Sequence, residues 1–404
     1  MNKSMHASLL FAVCVAAGHA SVWAQDKTYI VRFKDSAVPQ VKAGTVRDDR
    51  VAKEPDSWGH VGERVVNHVQ SLEKKHGIRA HAAFGTVFKG MSVRLTPAQV
   101  QALKRDPSVD LMEEEQTFSI DAQTTPWGIS KTQATLSYTL AGNGSGAVSG
   151  VRAYVIDTGI DMANTDLNRA GFVNFVGDRK NTDCNGHGTH VAGTIAAIDN
   201  AAVVVGMAPG VPTYGVKVLD CRGSGSTTSV VQGLDWVAKN AIKPAVANMS
   251  LGGGVSTALD DAVRKLAATG VFVSIAAGNS AVDACTSSPA RVGGANNTTA
   301  LGVMTVAATD SLDAEASFSN YGNCVDIWAP GVSIPSLKLG GGIATMSGTS
   351  MAAPHVGGAA ALYLGKYPTA TSSSVVNTLK GMTISTGTKS KDGRAITRLN
   401  ANVQ

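Results

Sequence analysis

The chain has 404 residues, which is enough for one large domain and a second, smaller domain with its own core. Its net charge of +5 is the difference between 35 basic and 30 acidic residues. No lysine- and arginine-rich run with interleaved aromatic residues occurs, so nucleic acid is not an expected partner.

The amino-terminal end has the pattern of an export signal. Lys3 precedes a short apolar stretch over residues 7–22, and Val22-Trp23-Ala24 fits the small-residue cleavage rule. We therefore predict a signal peptide over residues 1–24 and a secreted, extracellular protein. A membrane anchor is the alternative, but the stretch is short and no second run of ~20 apolar residues exists. A membrane is therefore not an expected partner.

Residues 25–121 are richer in charged side chains than the Gly-, Ala- and Ser-rich remainder. An alternating strand pattern opens this part, residues 64–75 have helical periodicity, and residues 88–100 run from a strand into a second helix. The order strand, helix, strand, strand, helix, strand predicts a small α+β domain of the split βαβ, ferredoxin-like type.

From residue 122 onward, apolar runs alternate with helical patterns. The predicted strands are residues 213–219, 245–250, 271–277 and 304–308, and the predicted helices are residues 187–198, 227–240, 257–269 and 350–364. This alternation predicts an α/β domain over residues 122–404, with a mostly parallel central sheet covered by helices on both faces.

Three segments supply an acid, a base and a nucleophile: Asp157 in V-I-D-T-G, His187 in N-G-H-G-T-H and Ser350 in G-T-S-M-A-A-P-H. A serine hydroxyl is a poor nucleophile unless an imidazole takes its proton and a carboxylate orients that imidazole. The apolar run before Asp157 predicts a buried strand with the carboxylate at its carboxyl end, where open α/β sheets place their sites. The sequence thus predicts a hydrolase.

Two other functions remain open at this point. A lipase or esterase would use the same triad, although the G-x-S-x-G pattern typical of that group is absent around Ser350. A non-catalytic binding or inhibitory protein would retain the three residues behind an uncleaved first domain. His190 and His355 lie in the same segments, and we interpret them as hydrogen-bonded packing residues.

Further segments at residues 216–226, 247–254, 276–279 and 317–322 accompany the three motifs. On these segments nearly the whole chain resembles the subtilisin-like serine proteases (subtilases), within them the proteinase K and aqualysin branch. The resemblance implies a serine endopeptidase that hydrolyses proteins and peptides through an acyl-enzyme, without a catalytic cofactor. It also implies that the Asn279 amide, with the Ser350 backbone N–H, stabilises the oxyanion.

The resemblance also implies the substrate subsites. Segments 223–226 and 250–253 resemble two extended edges that pair with a peptide backbone, and residues 276–278 resemble the wall of an open pocket without a charged base. The implied substrate-binding residues are Ser224, Gly225, Ser250, Leu251, Gly252, Ala277 and Gly278. Broad cleavage after large apolar or aromatic residues is expected.

In the family, the part corresponding to residues 25–121 is a propeptide that assists folding and then inhibits the protease, so the chain's own propeptide is an expected intramolecular partner. Its last stretch, residues 113–121, would lie in the cleft like a product, and we predict self-processing within residues 119–125, with the cut before Ala122 preferred. A permanent accessory domain is the alternative. The mature protein is expected to be a monomer.

Cys14 leaves with the signal peptide, which leaves four cysteines and three possible pairings. A Cys/His metal site is the alternative, although no C-x-x-C pattern occurs. Resemblance to aqualysin implies the pairs Cys184–Cys221 and Cys285–Cys324.

Structural calcium is implied twice by the resemblance. The first set joins residues 196–204 to the mature amino terminus: Gln123, Asp166, Ile198, Asn200, Ala202 and Val204. Val203 stands where this loop of the family has glycine, and a solvated surface loop is the alternative reading. The second set is Asp326 with carbonyls near Leu301 and Val303.

Overall fold

The computed structural model describes residues 26–38, 61–85, 88–115, 123–298 and 301–404. The chain divides into two compact units, Met1–Ser119 and Ile120–Gln404. The predicted signal peptide and the predicted processing site before Ala122 lie outside the described residues. Within the described residues, no helix combines the length and apolar character needed to span a membrane.

The first unit is a four-stranded antiparallel sheet with two helices, and its sheet order is β2-β3-β1-β4. Its elements are β1 (Lys27–Phe33), α1 (Glu63–His76), β2 (Ala80–Phe84), β3 (Gly90–Leu95), α2 (Pro97–Lys104) and β4 (Val109–Glu114). Helix α1 buries Val65, Val69 and Leu72, whose spacing places them on one face, against the sheet residues of the same core. The predicted order of strands and helices is confirmed.

The second unit is built on a nine-stranded sheet of order β14-β15-β11-β10-β9-β8-β5-β7-β6, in which only β14 is antiparallel to its neighbour. Its strands are β5 (Arg152–Asp157), β6 (Arg169–Asn174), β7 (Thr213–Lys217), β8 (Ala245–Met249), β9 (Phe272–Ala276), β10 (Val303–Thr309), β11 (Ile327–Pro330), β14 (Ile384–Lys389) and β15 (Ala395–Arg398). A separate hairpin joins β12 (Ile334–Leu337) to β13 (Ile343–Met346).

Helices cover both faces of this sheet: α3 (Trp127–Lys131), α4 (His187–Ala196), α5 (Thr227–Asn240), α6 (Thr257–Ala268), α7 (Thr349–Lys366) and α8 (Ser372–Gly381). Strand β5 explains the two layers, because successive side chains point to opposite faces. Ala153 and Val155 pack in the core that contains α4 and α7, whereas Tyr154 and Ile156 pack in the core that contains α5 and α6. The predicted fold class is confirmed.

Helix α7 contains Pro354, which has no N–H to donate to the carbonyl of Ser350 one turn earlier. The hydroxyl of Ser250, at the end of β8, donates to that carbonyl at 2.7 Å instead. The helix is thereby tied to the end of β8 at its first turn.

Two disulfides cross-link the second unit, Cys184–Cys221 and Cys285–Cys324. The first joins the segment before α4 to the loop after β7, and Asp178 lies near both sulfurs. Because these thiols are bonded to each other, the group formed by Asp178, Cys184 and Cys221 is not a thiolate metal site.

Candidate active site

His187 is the first residue of α4, and Asp157 is the last residue of β5. The Nδ1 atom of His187 lies 2.8 Å from Oδ1 of Asp157, which is fully buried and also accepts the N–H of Thr158 at 2.6 Å. Burial alone would lower the pKa of His187. The charge and hydrogen bond of Asp157, together with the charge of Asp183, outweigh burial and raise this pKa above its ordinary value.

Ser350 is the second residue of α7, so its backbone N–H belongs to the unpaired amides of a helix start. Its hydroxyl donates to the carbonyl of Ser250 at 3.3 Å. Among the hydrogen bonds of the described residues, none joins Ser350 Oγ to His187. The structure therefore pairs Asp157 with His187 and ties Ser350 to β8.

Asn279 follows β9 and contacts the loop before Ser350. Its Oδ1 accepts the N–H of Thr349 at 2.8 Å and the hydroxyl of Thr349 at 2.9 Å. This leaves the Nδ2 hydrogens as the groups that face solvent, near Gly348. The amide is thus oriented to donate beside the Ser350 N–H.

A cleft of 550 Å³ lies beside His187. Five of the predicted substrate-binding residues line it: Ser224, Gly225, Ser250, Leu251 and Gly252. The other two do not line this cavity. Ala277 is fully buried in a separate apolar cluster, and Gly278 lies beside the start of α7, where its N–H donates to the Thr349 hydroxyl.

The two walls of this cleft present unpaired backbone. Among the described hydrogen bonds, the N–H and C=O groups of Gly225 on one wall, and of Leu251 and Gly252 on the other, have no partner. Unpaired strand-like edges accept an extended peptide by main-chain hydrogen bonding. The arrangement suits a substrate bound between two edges.

Comparison with known protein families shows which family this chain belongs to. Residues 149–399 match the Subtilase family of peptidases, and residues 28–121 match the peptidase inhibitor I9 family. The chain belongs to the subtilase family. It is a serine endopeptidase whose amino-terminal part is an inhibitor-type propeptide domain, as the sequence motifs predict.

Several characterised proteins are similar to this subtilase. The extracellular serine proteinase of Thermus sp. (strain Rt41A) is 46% identical over 316 residues, which are 75% of this chain and 73% of that protein. Subtilisin E of Bacillus subtilis (strain 168) is 36% identical over 418 aligned residues that cover both chains completely. A crystal structure of a cold adapted subtilisin-like serine proteinase is 41% identical with a TM-score of 0.61, covering 70% of this chain and all of the other.

The subtilase site contains a carboxylate that sequence reasoning missed. Asp183 is buried between β5 and α4 and accepts hydrogen bonds from Thr158, Asn185, Gly186 and Thr189. The available signal was its position four residues before His187, at the start of a helix, where aspartate is favoured.

The two further histidines of the motifs are buried and hydrogen-bonded. His190 Nε2 lies 3.0 Å from the carbonyl of Ile334 and 3.1 Å from that of Ala344, so it ties α4 to the β12–β13 hairpin. His355 Nδ1 lies 2.8 Å from the carbonyl of Met351. Burial lowers the pKa of each imidazole to about 4, which keeps both neutral near pH 7.

The first calcium set of this subtilase comes together in space. Gln123 Nε2 donates to the carbonyls of Ile198 and Val204 at 2.9 and 3.3 Å, and Asn200 Nδ2 donates to Asp166 Oδ1 at 2.8 Å. Asp166 is buried without a cationic partner among the described residues, and this burial raises its pKa.

Val203, at the position where the resemblance implies glycine, adopts the left-handed conformation that glycine favours, with a φ of 51°. Backbone carbonyl oxygens beside a buried carboxylate that has no cationic partner among the described residues suit Ca²⁺.

The second calcium set does not fit. Asp326 Oδ1 lies 2.6 Å from the ammonium of Lys380, and its Oδ2 accepts the N–H groups of Gly294 and Thr305. The carbonyls of Leu301 and Val303 accept the amide of Asn297 at 2.8 and 3.4 Å. A lysine side chain already neutralises this carboxylate, so calcium at Asp326 stays a prediction from the resemblance and is not part of the proposal below.

Proposed function

We propose that Asp157, His187 and Ser350 form the catalytic triad of this serine endopeptidase. The observation that carries the proposal is the 2.8 Å bond between His187 and a fully buried carboxylate, at the edge of a cleft walled by Ser250, which contacts Ser350. In this assignment Ser350 attacks the peptide carbonyl and His187 accepts its proton, then returns it to the leaving amine. Asp157 holds the imidazole tautomer and stabilises the imidazolium.

The tetrahedral intermediate needs hydrogen-bond donors aimed at its oxygen. The Ser350 N–H and the Nδ2 group of Asn279 take this role, because Thr349 fixes the other end of the amide. Both donors are held before the substrate arrives, so they need little reorganisation during the reaction.

The substrate is a protein or peptide in extended conformation. Backbone pairing to Gly225 and to Leu251–Gly252 reads little sequence, which supports broad specificity. The preference for large apolar or aromatic residues on the acyl side of the scissile bond comes from the family resemblance and from the absence of acidic side chains in the cleft lining.

Maturation completes the proposal. Residues 1–24 act as a signal peptide, residues 25–121 as the inhibitory propeptide, and residues 122–404 as the secreted, monomeric protease. The match to the inhibitor I9 family over residues 28–121 and the extracellular relative of Thermus sp. support this division.

One experiment tests catalysis and self-processing together. The full chain and its Ser350→Ala variant are expressed in parallel, and both are followed by intact mass and by hydrolysis of a phenylalanine-containing peptide amide. We expect only the unaltered chain to yield a product that begins near Ala122 and to hydrolyse the amide.

The other outcomes assign the failure. Trimming of the Ser350→Ala variant would show that another protease performs maturation. A trimmed, unaltered chain that leaves the amide intact would contradict the triad assignment and favour a binding protein, while turnover of lipid esters without amides would favour an esterase.

We also propose that Gln123, Asp166 and Asn200, with the carbonyls of Ile198, Ala202 and Val204, hold a structural calcium ion. The ion would compensate the buried carboxylate of Asp166 and anchor the mature amino terminus. We expect a chelator to lower the thermal unfolding midpoint of the Ser350→Ala protein, and Asp166→Asn to abolish this response. An unchanged midpoint in the parent would contradict the calcium site.

A further inference from the structure

Asp183 is a buried carboxylate without a cationic partner among the described residues, and its two oxygens accept five hydrogen bonds. Oδ1 accepts the N–H groups of Asn185 and Gly186 at 2.9 and 3.0 Å and the hydroxyl of Thr158 at 3.0 Å. Oδ2 accepts the N–H and the hydroxyl of Thr189 at 3.0 and 2.6 Å. Its negative charge is therefore stabilised by the first turn of α4 and by Thr158.

Thr158 connects this carboxylate to the acid of the proposed triad. Its N–H donates to Asp157 Oδ1 at 2.6 Å, and its hydroxyl donates to Asp183 and accepts the N–H of Gly188 at 2.9 Å. The residue after Asp157 and the residue after His187 are thus joined directly by one hydroxyl group, and Asp183 orients that hydroxyl by accepting its hydrogen.

We propose that Asp183 is a positioning residue for the reaction, which holds the start of α4 against the end of β5 so that His187 Nδ1 meets Asp157. The inference rests on the proposed role of His187 as the general base. Asp183 acts through His187 and does not contact the reacting atoms.

The residue type matters, because a carboxylate offers only acceptors and all five of its partners are donors. An asparagine at position 183 would replace one of the two acceptor oxygens by an NH₂ group. That group would face N–H or O–H donors and could not accept their hydrogen bonds. Charge-assisted bonds from a carboxylate to helix-start amides are also about twice as strong as neutral ones.

Asp183 also acts on His187 through its charge. Together with Asp157, it raises the pKa of His187 against the lowering effect of burial. The other titratable or charged groups around this imidazole are His190, which is neutral near pH 7, Arg222 on the cleft wall, and buried Lys217, which donates to the Thr158 carbonyl.

The test compares Asp183→Asn with Asp310→Asn in the full chain after self-processing. The control is taken at Asp310, a half-buried carboxylate whose Oδ1 accepts only backbone N–H groups, from Leu312 and Ala314, in a loop outside both proposed sites. For each variant, kcat/KM is measured against pH. Activity requires neutral His187, so it rises as pH increases through the pKa of this group.

We expect Asp183→Asn to lower the plateau of kcat/KM by about tenfold or more, since a misplaced base loses its alignment. Its acid limb should move to lower pH, because a negative charge near His187 is lost. Asp310→Asn should keep the acid limb in place and the plateau of kcat/KM within about twofold. An unshifted acid limb in Asp183→Asn would overturn the inference.

A second measurement does not depend on maturation. In the Ser350→Ala chain, the titration of His187 is followed by NMR with and without Asp183→Asn, and the same downward shift is expected. A Thr158→Val variant removes only the connecting hydroxyl group and should lower kcat. Failure of the proposed function is recognised separately, because a His187→Ala variant would then retain activity.

Discussion

Asn279, beside the start of α7, and Arg222, in the cleft lining, are two side chains whose proposed roles depend on what holds them. The amide of Asn279 is fixed by two bonds from Thr349 to its Oδ1, which leaves its Nδ2 group to donate elsewhere. Among the described residues, the guanidinium of Arg222 has one ionic partner, Asp220 at 3.2 Å, and it stays largely exposed. One side chain is preorganised, and the other is free to meet a ligand.

Replacement of Asn279 by alanine should lower kcat on the order of 100- to 1000-fold with little change in KM, because the amide donates chiefly to the charged intermediate. Steady-state kinetics on a peptide amide measure both constants. A matched change at Asn297, whose amide serves a distant loop, should leave kcat unaffected. A large rise in KM at constant kcat would instead assign Asn279 to substrate binding.

Arg222 is the one permanently charged residue among those that line the cleft. We consider two peptides that carry glutamate or lysine at the substrate position facing residue 222. We expect Arg222→Gln to reduce the preference for the glutamate peptide by about fivefold at low salt, and by less at high salt. Competition between two such peptides measures the ratio. Arg264→Gln, which breaks a similar exposed pair with Asp261, is the control. An equal ratio in the parent and the Arg222 variant would contradict this prediction.

At this scale, the sequence predicts residues that lie inside distinctive motifs and misses those defined by their partners. The triad candidates and Asn279 are recognised because rare residue combinations surround them. Asp183 and Thr158 are polar residues of common type, and their importance appears only when β5 and α4 are brought together. The resemblance implies calcium at Asp326, and the distant Lys380 that pairs with this carboxylate gives no local signal in the sequence.

The starts of α4 and α7 carry the proposed general base and the proposed nucleophile of the second unit, and the start of α4 depends on close backbone approach. At Gly188, a Cβ atom would lie 2.0 Å from the carbonyl oxygen of Gly159 and 3.1 Å from the Thr158 hydroxyl. Helix α4 can therefore begin against β5 only if this position lacks a side chain.

Gly188→Ala should displace the first turn of α4 and with it His187, so we expect kcat/KM to fall by about 100-fold or more. Gly381→Ala at the end of α8 is the control, because a Cβ there meets nothing within 4 Å. Peptide hydrolysis and the circular dichroism spectrum are measured together. Full activity of the Gly188 variant would show that the helix start adapts without moving His187.

Elements with strong periodicity were predicted well: the four predicted helices correspond to α4, α5, α6 and α7, and the four predicted strands to β7, β8, β9 and β10. The strands β6, β11, β14 and β15 and the β12–β13 hairpin were not predicted. These strands have four to six residues, and several alternate only weakly, so tertiary pairing decides them rather than local pattern.

The second unit as a whole holds two imidazoles that must stay neutral when folded. The folded pKa of His190 and of His355 is about 4, below the ordinary value of 6.5. The unfolded chain therefore binds more protons between these values, and stability falls as the pH is lowered through this window.

We expect each histidine to remove about 2 kcal/mol of the unfolding free energy between pH 7 and pH 4.5. Urea unfolding of the Ser350→Ala protein, which avoids self-digestion, measures the loss. A His355→Gln variant should be less stable at pH 7 but less sensitive to acid. Equal free energies at the two pH values in the parent would contradict neutral burial of these side chains.

The pairing of Lys380 with Asp326 has a consequence for how the molecule tolerates its surroundings. A cation that belongs to the chain is present at a high effective concentration and cannot be diluted or chelated away. The structure around Asp326 is therefore expected to persist in the presence of a chelator, whereas the loop around Asp166, the proposed calcium site, is expected to unfold first. A chelator would thus affect the stability of the Asp166 loop and leave the region around Asp326, which carries its own cation, unchanged.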